Sequence, residues 1–186
     1  MAQVAPAIEW QVVLGGSQYD QGYDGVPTND GGYAVVGLTQ SDDGDITNFL
    51  GVRDLWVVKL DALGGIEWQK TFGGSSYDEG YEILQSPDSG YVVVGATEST
   101  DGDLSSNTLQ GDADVWLLKL NSSGDVEWST NYGGSYNDFG KAMCCFSIMV
   151  SGDLPECHLC LSDLHRSAAT GNSLRNGRVG RHALAD

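Results

Sequence analysis

Ile8-Glu9-Trp10-Gln11 is written again as Ile66-Glu67-Trp68-Gln69 and a third time as Val126-Glu127-Trp128-Ser129. The words around it repeat as well. Gly15-Gly16-Ser17 returns as Gly73-Gly74-Ser75 and Gly133-Gly134-Ser135, and Asp20 returns as Asp78 and Asp138. Asp30-Gly31-Gly32-Tyr33 returns as Asp88-Ser89-Gly90-Tyr91. Asp54-Leu55-Trp56-Val57-Val58-Lys59-Leu60 returns as Asp114-Val115-Trp116-Leu117-Leu118-Lys119-Leu120. A fixed period of roughly 60 residues marks a supersecondary unit that cannot bury its apolar face alone and must stack on copies of itself. The chain divides into a leader (1–7), repeat 1 (8–65), repeat 2 (66–125), the start of repeat 3 (126–143) and a tail (144–186).

Within one repeat the apolar runs are short and bounded by Gly, Asn and Asp, which is the signature of strands. Ile8–Leu14, Gly22–Thr28, Tyr33–Thr39 and Leu55–Leu60 are the four expected strands of the first unit. The turn at Asp30-Gly31 suits a tight hairpin. No comparable helical period occurs in the body. Four antiparallel strands per unit, with recurring tryptophans and Gly-Gly corners, predict an all-β chain of β-propeller-type blades. The set is incomplete, with two full repeats, part of a third and an irregular C-terminal tail. An open set of blades exposes strand edges, so self-association or membership of a longer array is expected.

Composition narrows the partners. Of 186 residues, 26 are acidic and 9 basic, a net charge of −17. The imbalance lies in residues 1–140, with 22 acids and 4 bases; residues 141–186 hold 4 acids and 5 bases. Such an acidic body is repelled by phosphate backbones and anionic lipid, which argues against nucleic-acid binding. No apolar run is long enough for a transmembrane helix, so membrane insertion is not expected. Residues 1–7 carry no basic start and no long apolar stretch, so they do not read as a secretory signal. Either the chain stays in the cytoplasm, or it is cut from a longer protein.

The tail breaks the pattern. All four cysteines and all three histidines follow residue 143, and the charge sign changes there. Two readings stand: a frame-shifted or foreign continuation, or a genuine unrelated tail. Cys144, Cys145, Cys157 and Cys160 number the four ligands of a structural zinc site, but the adjacent first pair is poor geometry for one ion. Free thiols are the plainer reading.

Asp43-Gly44-Asp45 and Asp101-Gly102-Asp103 hold matching places in long acidic loops, Ser41–Arg53 and Ser99–Ala113. With Asp112 and Asp114 they are candidate calcium ligands, because calcium takes several carboxylate and carbonyl oxygens and Gly permits the turns that gather them. The alternative is a solvated acidic turn. Asp20, Asp78 and Asp138 could be catalytic acids, but a catalytic site is built once. Their repetition suggests carboxylates that accept backbone N–H bonds and pin each Gly-Gly-Ser corner. Trp10, Trp56, Trp68, Trp116 and Trp128 could stack on sugars, but their strand context suggests core packing. Lys59 and Lys119 read as outward-facing charges that discourage edge pairing. The body lacks His and Cys, so the usual catalytic bases and nucleophiles are missing.

The motifs Asp-x-Trp-Val-Val-Lys-Leu-Asp, Gly-x-Ile-Glu-Trp, Gly-Gly-Ser-x-x-Asp and Asp-x-Gly-Tyr-x-Val-x-Gly together resemble the bacterial β-propeller repeat family of large secreted and cell-surface proteins. The resemblance covers residues 8–143. It implies a secreted or surface location and a non-catalytic scaffold or adhesion role toward a protein or glycan partner. A carbohydrate-binding module and an enzyme domain with acidic catalytic residues are the alternatives.

Overall fold

The computed structural model describes residues 7–104, 108–148 and 156–166, the last strand and the end of the one before it as backbone only. It is all-β. The first sheet holds β1 (Asp20–Pro27), β2 (Tyr33–Thr39), β3 (Asp54–Leu60) and β4 (Ile66–Phe72). The second holds β5 (Asp78–Gln85), β6 (Tyr91–Thr97), β7 (Asp114–Leu120) and β8 (Val126–Tyr132). Both are antiparallel with strands in chain order, and neither closes on itself. A 3-10 turn, Gly102–Leu104, lies in the second acidic loop. Among the described residues no helix is long and apolar enough to cross a membrane.

The second and third strands of each sheet are β-branched and aliphatic, and β3, β6 and β7 are buried along their whole length. Both faces of each sheet are therefore covered. Ala34, Val36, Leu55, Val57 and Phe72 of the first sheet pack on Ile83, Tyr91, Val93, Trp116, Leu118 and Leu120 of the second. One repeat further on, Val92, Val94, Val115 and Leu117 are covered by Met143 of β9 (Asp138–Ile148). The stacking is head to tail, with the same face of each repeat meeting the opposite face of the next.

The bulges are repeated too. β1 slips register between Gly22 and Asp24, and β5 between Gly80 and Glu82. The extra residues are Tyr23 and Tyr81, whose rings meet at 5.3 Å across the two sheets. Bulges of this kind re-aim a side chain. Opposite the bulge sits Gly95, where a Cβ would fall on the Glu79 carbonyl oxygen, so only glycine lets the strands close there.

Three expectations change. Ile8–Leu14 is not a strand of the first sheet. It runs alongside that sheet, with Trp10 and Leu14 packed against the cluster of Ile46, Trp56, Val58 and Leu60. Its repeat equivalents β4 and β8 pair with β3 and β7, and no described strand stands in that position beside residues 8–14. The weaker run at Gly22–Thr28 belongs instead to the full first strand. The stretch expected as irregular tail carries β10 (Glu156–Arg166), antiparallel to β9 with Cys160 opposite Cys144.

Candidate functional site

The chemistry-bearing residues gather where one sheet hands over to the next. The corner Gly73-Gly74-Ser75 leads from β4 into β5, and Asp78 is the first residue of β5. The Gly74 N–H donates to Asp78 Oδ2 at 2.9 Å. Ser99 Oγ donates to the same oxygen at 2.7 Å, and Thr97 Oγ1 to Asp78 Oδ1 at 2.5 Å. Asp78 is wholly buried, and desolvation pushes its carboxyl upward against those three donors. The first corner repeats the arrangement, with Gly16 N–H to Asp20 at 2.8 Å and Thr39 Oγ1 to Asp20 at 2.5 Å. At the third, Gly134 N–H donates to Asp138 at 2.7 Å. Each of the three aspartates thus accepts a backbone N–H from its own corner.

The acidic loops fold onto the same corners. Ser17 N–H donates to Asp43 at 2.7 Å, and Gly15 N–H to Asp45 at 3.0 Å. In the second repeat Ser75 N–H donates to Asp101 at 2.7 Å, and Gly73 N–H to Asp103 at 3.0 Å. The Ser75 donors hold Asp101 below the usual carboxylate range. Asp112 is exposed, whereas Asp114 is buried at the start of β7. The six candidate calcium ligands are therefore spread over different places. Among the described residues no three acidic, His or Cys side chains gather into a metal cage. The side chains of Cys144, Cys145, Cys157 and Cys160 lie outside the described residues.

Asp54, which opens β3, carries no mark as a functional acid in the sequence pattern, although it is the repeat equivalent of Asp114. It is wholly buried. Leu50 N–H donates to its Oδ2 at 2.7 Å, while its Oδ1 has no hydrogen-bond partner, and Asp114 Oδ1 is left in the same state. Burial pushes the Asp54 carboxyl up to about 6, and the charges of Asp78 and Asp103 add to that rise.

Lys59 and Lys119 correct the expectation of outward charges. Each is only 2% exposed in a central strand. Lys59 Nζ lies 2.9 Å from Asp30 and 2.7 Å from Glu67 and donates to the Leu60 carbonyl at 3.0 Å. Lys119 repeats this with Asp88 and Glu127, both at 2.8 Å. A register slip between Lys59 and Leu60 in the β3–β4 ladder makes Glu67 the extra residue opposite the lysine. Lysine in the middle of an apolar strand with a glutamate eight residues on was the available signal.

Lys59 also lines a cleft of about 340 Å³ between the sheets, with Asp30, Glu67, Trp68, Gln85 and Tyr91. Of the five tryptophans, Trp56 and Trp116 are buried. Trp10 and Trp68 are half-buried and meet Tyr33 and Tyr91 edge to face, and Trp128 is likewise half-buried. A second polar group joins the two repeats: Arg53, just before β3, pairs with Glu79 of β5 and lies 5.2 Å from the centre of the Tyr77 ring. No protein-family model matches the chain, and no curated protein matches it either.

Proposed function

We propose that the chain is a non-catalytic scaffold built of propeller-type blades, serving an adhesion or interaction role in an exported bacterial protein. The observation that carries this reading is duplication. Each carboxylate constellation at a Gly-Gly-Ser corner and each buried lysine recurs in the next repeat, with its oxygens or protons taken up by backbone and neighbouring side chains. Chemistry needs one poised site; a stacked architecture needs the same joint at every step. Head-to-tail packing of the two sheets and the resemblance of the motifs to the bacterial propeller repeat support the blade reading. The test is hydrolase assay with a panel of nitrophenyl glycosides and esters. Absence of turnover is expected. Turnover abolished by Asp78→Asn, with the fold kept, would establish an enzyme instead.

One observation favours a carbohydrate-binding module as the second reading. The cleft between the sheets places the half-buried Trp68 ring among Asp30, Glu67 and Gln85, a mixture of aromatic face and hydrogen-bonding groups suited to a sugar. Retention on a glycan matrix, lost in Trp68→Ala, would select that reading over a purely structural one.

A further inference from the structure

We propose that residues 8–14 and the uncovered face of the first sheet beside them form a docking groove for one strand of another polypeptide, a strand that carries the repeat's own Asp-x-Trp-x-x-Lys pattern. Residues 8–14 already hold the place that β4 holds one repeat later. Trp10 packs against Gly64 so closely that a Cβ there would stand 2.8 Å from the ring, and it meets Tyr33 edge to face at 5.5 Å. Trp68 packs on Gly124 in the same way, with 2.9 Å to a Cβ, and meets Tyr91 at 5.7 Å. The two segments differ in what stands next to them. β4 pairs with β3, whereas among the described residues no strand pairs with residues 8–14. The groove beside them, of about 170 Å³, is lined by Val12, Leu14, Gly22, Val35 and Trp56.

The same face is covered in the later repeats. Gly22, Gly80 and Gly140 are equivalents. A Cβ on Gly80 would fall 2.5 Å from Val36 and 2.8 Å from Leu55 of the preceding sheet, and one on Gly140 would fall 2.6 Å from Val94 and from Val115. On Gly22 it would meet only Val35 of its own sheet, at 3.6 Å. Tyr33 is 39% exposed where Tyr91 is 1%, and Val13 is 94% exposed where Thr71 is 8%. Two polar groups give the chemistry of the strand that fits. Ile8-Glu9-Trp10-Gln11 is identical to Ile66-Glu67-Trp68-Gln69, in which Glu67 holds the Lys59 ammonium at 2.7 Å and Gln69 accepts the Trp56 indole N–H at 2.9 Å. Both of those donors belong to β3. Glu9 and Gln11 are exposed, and among the described residues no lysine or indole N–H reaches them. A strand laid antiparallel on residues 8–14, in the register of β3 on β4, brings its lysine to Glu9, its tryptophan to Gln11 and its leucine over Gly22. Main-chain bonds along the open edge supply affinity, and those side chains supply specificity. A second copy of this chain has its two such strands, β3 and β7, already paired on both edges, so the strand comes from a different polypeptide. Nothing in this pairing depends on an adhesive or carbohydrate-binding role.

The test titrates the full 186-residue chain into a fluorescein-labelled peptide with the sequence of Asp54–Leu60, followed by anisotropy. Saturable binding is expected. A peptide carrying Lys59→Glu should bind on the order of tenfold more weakly. Glu9→Lys in the chain should restore that peptide and weaken the original one. Gly22→Leu fills the seat of the peptide's leucine, and should abolish binding without lowering the melting temperature of the free chain. No saturable binding, or equal binding of a scrambled peptide, would overturn the proposal. Equal affinity for the original and the Lys59→Glu peptides would overturn it as well, since the groove would then take any apolar strand. So would sedimentation showing that the chain pairs with itself and that Gly22→Leu breaks the pair, because a second copy would then occupy the groove. If Gly22→Leu does not fold, the charge swap at Glu9 still decides.

Discussion

Lys59 shows how one residue's role depends on what surrounds it. Its ammonium is almost fully buried, whereas its partners Asp30 and Glu67 are about half exposed. Burial alone would lower its pKa, but the bonds to Glu67 and Asp30 outweigh that and raise it. The asymmetry sets the mutational outcome. Lys59→Met removes the buried charge and leaves carboxylates that can reach water, so urea denaturation should show a loss of no more than about 1–2 kcal/mol. Asp30→Asn with Glu67→Gln strands the ammonium and should cost about 3–5 kcal/mol. Equal losses would mean the lysine is as well solvated as its partners. Asp88 gives the pH counterpart. Burial pushes it up, but Lys119, Ser86 and the Gly90 N–H prevail and hold it at about 2 against an ordinary 3.8. Because the folded value lies below the unfolded one, Asp88 stabilises the fold above pH 3.8 and loses that contribution as pH falls toward 2. Asp88→Asn should flatten the acid limb of a stability–pH curve across that window, measured by denaturant midpoint at each pH.

At the scale of the element, the two hairpin turns differ at the residue that takes the left-handed conformation. Gly31 stands at φ +87°, and its repeat equivalent Ser89 is forced to +67°. The left-handed region costs an L-residue roughly 1–2 kcal/mol, and glycine escapes that cost at some loss of unfolded-state entropy. Ser89→Gly should therefore raise stability by about 0.5–1 kcal/mol in thermal unfolding. A loss would show that the Ser89 backbone is held by something glycine cannot reproduce. The carboxylate bonds are the same in both turns: Thr28 or Ser86 donates to Asp30 or Asp88 at 2.5 Å, and the carboxylate takes the N–H of Gly32 or Gly90. The strands were legible as elements because β-branched runs between glycine-rich turns have few other solutions. The segment Ile8–Leu14 was not, because a strand needs a partner and its repeat equivalents find theirs in the third strand of each sheet.

For the whole molecule, charge acts on the fold in a way that no single contact describes. A net charge of −17, with 22 acids against 4 bases in residues 1–140, makes the folded body repel itself. Surface repulsion is screened within a Debye length of about 8 Å at physiological salt. The melting temperature should therefore rise with sodium chloride from low ionic strength upward. A fall would mean that the exposed pairs, such as Lys70 with Asp125 at 2.5 Å, outweigh the net repulsion.

The period, the strand-forming runs, the Gly-Gly-Ser corners and the acidic bias were all properties of the sequence by itself, because each rests on local chemistry: β-branching, turn geometry and formal charge. What each charged side chain faces was decided only by the tertiary structure. Lys59 looks like a surface charge until the register slip places Glu67 opposite it and Asp30 above it. Asp43, Asp45, Asp101 and Asp103 look like one kind of residue until each is found spent on a different corner N–H. Asp54 looks like any strand-opening acid until its Oδ1 is found buried without a hydrogen-bond partner, at the start of a central strand. Repetition makes an interface predictable in kind, but desolvation and the choice of partner depend on distances that only packing fixes.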